Sequence, residues 1–332
     1  MNPIEAMQAE IEYQIPDLYE LDLLSPSFSS PPAPAKNSIF VGSGDSYVAG
    51  LAAHYFSQNS LITCCYPVDI IQNPLLIKGR NLFVISVSGN TQANIVAAKT
   101  AKKYGANAVI GITAKASSRL TESCDQIIEL KYRNSGTITA GTISFTVSMI
   151  RCISLTMSLR LPSDLGKIYS SAEKQAEKAI GMINDKGNAG GIGGGGGSTR
   201  DSSRSYFLLG NSELYAIAKY GTLKFNEVFG SRAVAYPVEE FCHSPLFSIK
   251  ETDQVIVLGD DDQGGKLSQR LNKEGFPSLH VGFNNTGIEL LLQATFFIQL
   301  FVLKIAQKCG LTSCYFLQNK KLLGVSSDFI YH

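Results

Sequence analysis

Short, solid runs of apolar residues alternate along this chain with amphipathic stretches. Segments 38–41, 61–65, 82–86, 108–112 and 126–130 have the length and β-branched content of buried strands. Between most of them, near 46–58, 91–105 and 116–123, apolar positions recur at three- and four-residue spacing and predict helices. A long apolar helix over 142–161 closes this half, and Pro162 and Gly166 separate it from a polar amphipathic helix over 167–184. The alternation then resumes with strands at 206–209, 233–236, 254–259 and 278–281 and helices near 213–228, 264–274 and 287–308. An amphipathic helix over 3–24, interrupted near Pro16, opens the chain and ends in a Pro/Ser loop over 25–34. Alternating strands and helices predict parallel sheets covered on both faces.

The two halves echo each other. Val41-Gly42-Ser43-Gly44-Asp45-Ser46-Tyr47 is matched by Leu209-Gly210-Asn211-Ser212-Glu213-Leu214-Tyr215, and Tyr66-Pro67-Val68-Asp69 by Tyr236-Pro237-Val238-Glu239, at nearly equal offsets. The expected organisation is a duplicated α/β unit: an N-terminal helix and loop over 1–35, a first domain over 36–166, a helix and Gly/Ser-rich linker over 167–204, and a second domain over 205–332. Gly191-Ile192-Gly193-Gly194-Gly195-Gly196 formally satisfies a dinucleotide-binding pattern. It follows no strand and opens no helix, so 187–203 reads as a flexible linker.

Composition narrows the classes. Apolar residues make up 44% and charged ones 17% of 332 residues, as in a globular protein. The net charge is +1 and no basic stripe appears, which argues against nucleic acid as the main partner. The longest membrane candidate, 288–305, is broken by Glu289, Gln293, Gln299 and Lys304, and no secretory signal opens the chain. Seven cysteines without a C-x-x-C pair predict reduced thiols in a cytoplasm, with no disulfide framework and no structural metal.

Candidate chemistry lies at two places. The strand at 82–86 runs into Ser86-Val87-Ser88-Gly89-Asn90-Thr91 and then a helix, so free backbone N–H groups, hydroxyls and a glycine meet at a helix N-terminus, the make-up of a phosphate seat. The equivalent segment of the second half is Leu258-Gly259-Asp260-Asp261-Asp262-Gln263, whose carboxylates would repel a phosphate, so one seat per chain is expected. The second half carries Lys224 and Glu227, three apart on one helix face, where a surface ion pair is the plain alternative, and His243, which Pro245 places at an element end.

These residues resemble the sugar isomerase (SIS) domain family, in the two-domain form of the isomerase half of glucosamine-6-phosphate synthases, over roughly 36–328. Ser86-x-Ser88-Gly89-x-Thr91 is similar to the family's phosphate-binding turn, and Gly42-Ser43-Gly44-x-Ser46-Tyr47 to its first strand-to-helix turn. Lys224-Phe225-Asn226-Glu227, followed by His243-Ser244-Pro245-Leu246, is similar to its Lys-x-x-Glu and His-Gly-Pro-Leu pattern. The resemblance implies two SIS-type domains, each a parallel sheet in a flavodoxin-like three-layer sandwich. It implies a phosphorylated sugar held by Gly42, Ser43, Gly44, Ser46, Ser86, Ser88, Gly89, Asn90, Thr91, Thr142 and Lys224, with no cofactor. Catalysis would fall to Glu227 as proton shuttle, His243 in ring opening, and Lys320 or Lys321 as a Schiff-base lysine. It further implies a homodimer with shared active sites.

Several positions depart from the family pattern. Val87 stands where the synthases have glutamine, Ser244 replaces a glycine, and 136–145 lacks the family's two charged residues. No glutaminase nucleophile is seen, so the chain is not expected to release ammonia from glutamine by itself, and one reading has a separate glutaminase subunit deliver it. The resemblance therefore implies an aldose-ketose isomerase. The alternatives are an aminosugar-phosphate deaminase, the isomerase subunit of a split aminotransferase, or a non-catalytic sugar-phosphate-binding regulator.

Overall fold

In a computed structural model, residues 1–21, 37–59, 61–185 and 204–332 are described. The loop expected at 25–34 and the linker expected at 187–203 lie outside them. After α1 (Pro3–Tyr19) come β1 (Ser38–Val41), α2 (Asp45–Ser57), β2 (Ile62–Cys65), α3 (Pro67–Gln72), β3 (Asn81–Ile85), α4 (Gln92–Lys103), β4 (Ala108–Thr113), β5 (Gln126–Glu129) and α5 (Ile143–Thr156). The five strands form one parallel sheet in the order β2-β1-β3-β4-β5. Its central strands are apolar on both faces because both faces are covered. On one side Ile39, Val41, Leu82 and Val84 pack against Ile95, Ala98 and Ala101 of α4. On the other, Phe40 stacks on Phe83, and Gly50 lets α2 lie close, since a Cβ there would stand 2.8 Å from the Phe40 Cβ.

The chain continues with α6 (Leu165–Asp185), β6 (Ser205–Leu209), α7 (Glu213–Phe229), β7 (Arg232–Tyr236), α8 (Val238–His243), β8 (Gln254–Leu258), α9 (Asp262–Lys273), β9 (Ser278–Val281), α10 (Gly287–Lys308), α11 (Tyr315–Gln318) and α12 (Lys320–Tyr331). The second sheet is parallel in the order β7-β6-β8-β9, which repeats β2-β1-β3-β4 strand for strand. The fifth strand has no counterpart among the described residues. Two helical elements missed in the sequence, α3 and α8, also match. Each begins at a Tyr-Pro pair, Tyr66-Pro67 or Tyr236-Pro237, and leads into a 3-10 turn, Pro74–Ile77 in the first copy and Pro245–Ser248 in the second. The α10 helix is long and apolar enough to cross a membrane by composition, but 78% of that window is buried around stacked Phe297 and Phe301, so its apolarity serves a core.

The molecule separates into two compact units that are not contiguous in sequence. One consists of residues 16–133, 143–161 and 321–332, around the first sheet. The other consists of residues 1–15, 134–142 and 162–320, around the second.

Two expectations are corrected. The first helix is not interrupted at Pro16 and stops at Tyr19, not 24. Both carboxylate oxygens of buried Asp17 take Arg133 donors at 2.6 Å, its N–H and its Nε, which holds the turn that Pro16 would otherwise loosen. The helix expected over 116–123 is only a 3-10 turn, Thr121–Ser123. Its backbone is committed elsewhere: the Leu120 N–H donates to the Gly89 carbonyl at 2.9 Å and the Arg119 N–H to Asn90 Oδ1 at 3.3 Å.

Candidate functional site

In the first sheet the strand order reverses between β1 and β3, and crevices at such switch points are where α/β sheets take ligands. Two turns flank that point. After β1, Gly42 must be glycine because a Cβ would meet the Ser46 backbone at 2.7 Å, and Gly44 takes φ +56° as it opens α2 without a side-chain cap. After β3, Ser86 to Thr91 leads into α4, which Thr91 begins with no side-chain cap. Ser86 is buried and its hydroxyl donates to Thr91 Oγ1 at 3.3 Å. Ser88 Oγ accepts from the Asn90 N–H at 3.3 Å. Gly89 has φ +65° and a Cβ there would collide with Ser118 Oγ, so the backbone alone occupies that position. The structure thus gathers Gly42, Ser43, Gly44, Ser46, Ser86, Ser88, Gly89, Asn90 and Thr91 in one unit, on adjacent parallel strands.

The corresponding corner of the second sheet is closed by its own side chains. Asp261 caps α9, one carboxylate oxygen accepting the Gly264 N–H at 2.6 Å and the other the Asn211 amide at 3.2 Å. A carboxylate already satisfies the helix N-terminus where an anion would bind.

The second unit holds a different constellation. Lys224 Nζ donates to Glu227 Oε2 at 2.6 Å and lies 5.1 Å from the centre of the Tyr220 ring. The lysine is wholly buried and the Glu227 side chain a third exposed, so this is not a surface pair. Around it runs a polar network built from both ends of the unit. The Tyr220 hydroxyl donates to the Gly141 carbonyl at 2.8 Å, and Gln299 donates to the Tyr220 oxygen and to the Thr142 carbonyl at 3.1 and 3.2 Å. Thr142 donates to Glu10 at 3.4 Å, and Glu10 also accepts the Ser135 hydroxyl at 2.7 Å. Buried Cys314 lies 3.8 Å from Thr139 Oγ1. Burial pushes its thiol up, while hydrogen bonds from the Ala140 backbone and Thr139 oppose this and the charges of Glu227 and Lys224 act in opposite senses. A partly exposed carboxylate beside a buried ammonium is equipped to accept and return a proton.

The remaining sequence candidates are less closely gathered. Thr142 belongs to the same unit as Lys224 and Glu227. His243 ends α8, as Pro245 requires, and is exposed, with Glu239 3.9 Å away. Lys320 and Lys321 open α12, both exposed, and the boundary between the two units falls between them. No cluster of His, Cys, Asp or Glu suited to a metal occurs among the described residues. Sequence reasoning missed Arg119, whose guanidinium donates to Gln92 Oε1 at 2.6 Å, and missed the Glu10–Gln14–Gln299 network. The only signal for Arg119 was a basic residue in a serine-rich loop.

Parallel sheets repeated in the same order, each with helices on both faces, define a duplicated doubly wound α/β protein. Within it, residues 33–158, which carry the first sheet and its helices, match the SIS domain family. Glutamine–fructose-6-phosphate aminotransferases are similar in sequence. That of Caldanaerobacter subterraneus is 25% identical over 67% of this chain and 37% of its own length, and that of Clostridium tetani 27% identical over 68% and 38%. The chain thus spans under two-fifths of the length of these relatives. Among solved structures, a glucosamine-6-phosphate deaminase from Thermotoga maritima has a TM-score of 0.71 at 20% identity, covering 92% of this chain and 96% of that one. A putative phosphosugar isomerase from Clostridium difficile reaches 0.72 at 18%, covering 94% of each. These likenesses establish the same two-sheet fold over nearly the whole chain.

Proposed function

We propose that this protein is a sugar-phosphate isomerase acting on a phosphorylated hexose or aminosugar by aldose-ketose proton transfer. The observation that carries the reading is the contrast between the duplicated corners. The Ser86–Thr91 turn leaves a helix N-terminus without a side-chain cap and lines it with hydroxyls, whereas Asp261 fills the equivalent corner. A phosphate dianion is the ligand that such an N-terminus stabilises. The relatives' names add the sugar: they act on fructose 6-phosphate or glucosamine 6-phosphate.

In this reading Ser86, Ser88, Gly89, Asn90 and Thr91 seat the phosphate, while Gly42, Ser43, Gly44 and Ser46 line the sugar. Glu227 carries the proton between adjacent carbons. His243 exchanges a hydroxyl proton during ring opening, and Lys320 or Lys321 forms an imine with the open-chain ketose. Lys224 holds Glu227 as a carboxylate. The test is calorimetry with fructose 6-phosphate, together with solvent deuterium incorporation at carbon 2, with and without ammonia. Ser88→Ala/Thr91→Ala should weaken binding by about 3 kcal/mol, the worth of two hydrogen bonds to a charged group. Undiminished affinity in that variant would remove the seat from the reading. An amino sugar formed only with ammonia would make the reaction an amination.

A further inference from the structure

We propose that Arg119 supplies the positive charge of the phosphate seat. The assignment rests on the reading of the Ser86–Thr91 turn as that seat, and adds to it a residue outside the turn. Arg119 is exposed, yet its position is fixed at both ends. Its N–H donates to Asn90 Oδ1 at 3.3 Å, and the neighbouring Leu120 N–H donates to the Gly89 carbonyl at 2.9 Å, which stitches this segment to the turn. One guanidinium nitrogen donates to Gln92 Oε1 in the first turn of α4 at 2.6 Å, and another to the Tyr331 carbonyl at 3.3 Å.

All three acceptors are neutral oxygens. Among the described residues no carboxylate pairs with this guanidinium, which bridges the N-terminus of α4, where the backbone dipole disfavours a cation, and the last carbonyl of α12, where it favours one. An unneutralised arginine tied to that place is stabilised by an anion bound there, and its forked donors suit phosphate. Ser118 points to the same spot independently. It is 6% exposed, packs against Gly89 of the turn, and its Oγ has no hydrogen-bond partner among the described residues. A ligand oxygen at the turn would satisfy a hydroxyl that the protein leaves unmatched.

The test is calorimetric titration of the full chain with inorganic phosphate and with fructose 6-phosphate, at pH values on either side of the second phosphate ionisation near pH ~6. The parent should bind more tightly as the ligand becomes a dianion. Arg119→Gln should bind both ligands roughly 10- to 100-fold more weakly and lose most of that pH gain, while Arg119→Lys should recover the larger part of both. A merely structural arginine would not change the pH gain. Equal affinity and equal pH gain in Arg119→Gln, with Ser88→Ala/Thr91→Ala still impaired, would overturn the assignment and leave the seat standing. A parent that binds neither ligand would overturn both.

Discussion

Lys224 lies wholly buried on α7 with its ammonium 2.6 Å from the carboxylate of Glu227, one turn further along the same helix. An ammonium removed from water needs a counter-charge, and deleting one partner of such a pair costs more than deleting both. Glu227→Gln should therefore do two separable things: abolish deuterium exchange at the sugar, and lower the unfolding free energy by about 3 kcal/mol. Glu227→Gln/Lys224→Met should recover most of that stability in urea titrations while remaining inactive. Exchange restored in the double variant would show that Glu227 is a structural counter-ion and not the base.

Gly89 and Gly44 both take a positive φ, +65° and +56°, but only Gly89 is enclosed. A Cβ on Gly89 would run into Ser118 Oγ and stand 3.0 Å from Thr113 Oγ1, whereas one on Gly44 would meet nothing within 4 Å. Gly44→Ala should thus cost about 1 kcal/mol, the conformational term alone. Gly89→Ala should cost about 3 kcal/mol, because it adds a clash to the strain, and should also displace the serine turn and weaken phosphate binding. Denaturant unfolding of the two variants side by side checks the difference, and equal costs would mean that Ser118 yields freely.

The strands and longer helices were legible because each carries its own pattern: solid apolar runs for β1, β3 and β4, and three- and four-residue spacing for α4 and α7. The duplication was legible from two short echoes, and strand order bears it out. What escaped notice depends on tertiary contact. Six-residue helices such as α3 and α8 are too short to show a period. The segment around Arg119 has helical spacing but spends its backbone donors on Gly89 and Asn90. The burial of Lys224 could not be read either, since Lys-x-x-Glu on a helix is equally the pattern of an exposed pair. Its neighbour Tyr220 is one turn back on the same helix, but Cys314, which feels its charge, lies far along the chain.

The thiols of the first unit confer a predictable alkaline sensitivity. Burial pushes Cys65 up to about 12, with the charge of Asp69 adding and that of Arg80 opposing. Burial also pushes Cys124 up to about 12 against the pull of Lys102. An unfolded cysteine ionises near pH ~8.5. The folded state holds these protons more tightly, so its advantage is complete below that pH and is lost as the pH rises toward 12. Stability from urea titrations should fall over this window, and fall less steeply in Cys65→Ala/Cys124→Ala. Identical alkaline slopes would mean that both thiols are as accessible to water in the fold as in the unfolded chain.

His243 is exposed at the end of α8, with Glu239 as its charged neighbour, and among the described residues makes no hydrogen bond to Lys224 or to the partly exposed Glu227. A reaction that needs both an imidazole and the Glu227 carboxylate is then best served by a histidine from a second copy. Mixing inactive Glu227→Gln chains with inactive His243→Ala chains tests it. In a dimer with shared sites, one site of each mixed pair receives an intact glutamate and an intact histidine, so random exchange should restore about a quarter of the parent activity, by the pairing expected for a two-fold dimer. Subunit exchange is verified first by mass-tagging one of the two variants. No recovery after verified exchange would place both residues in the site of a single chain, and any dimer would then be structural only.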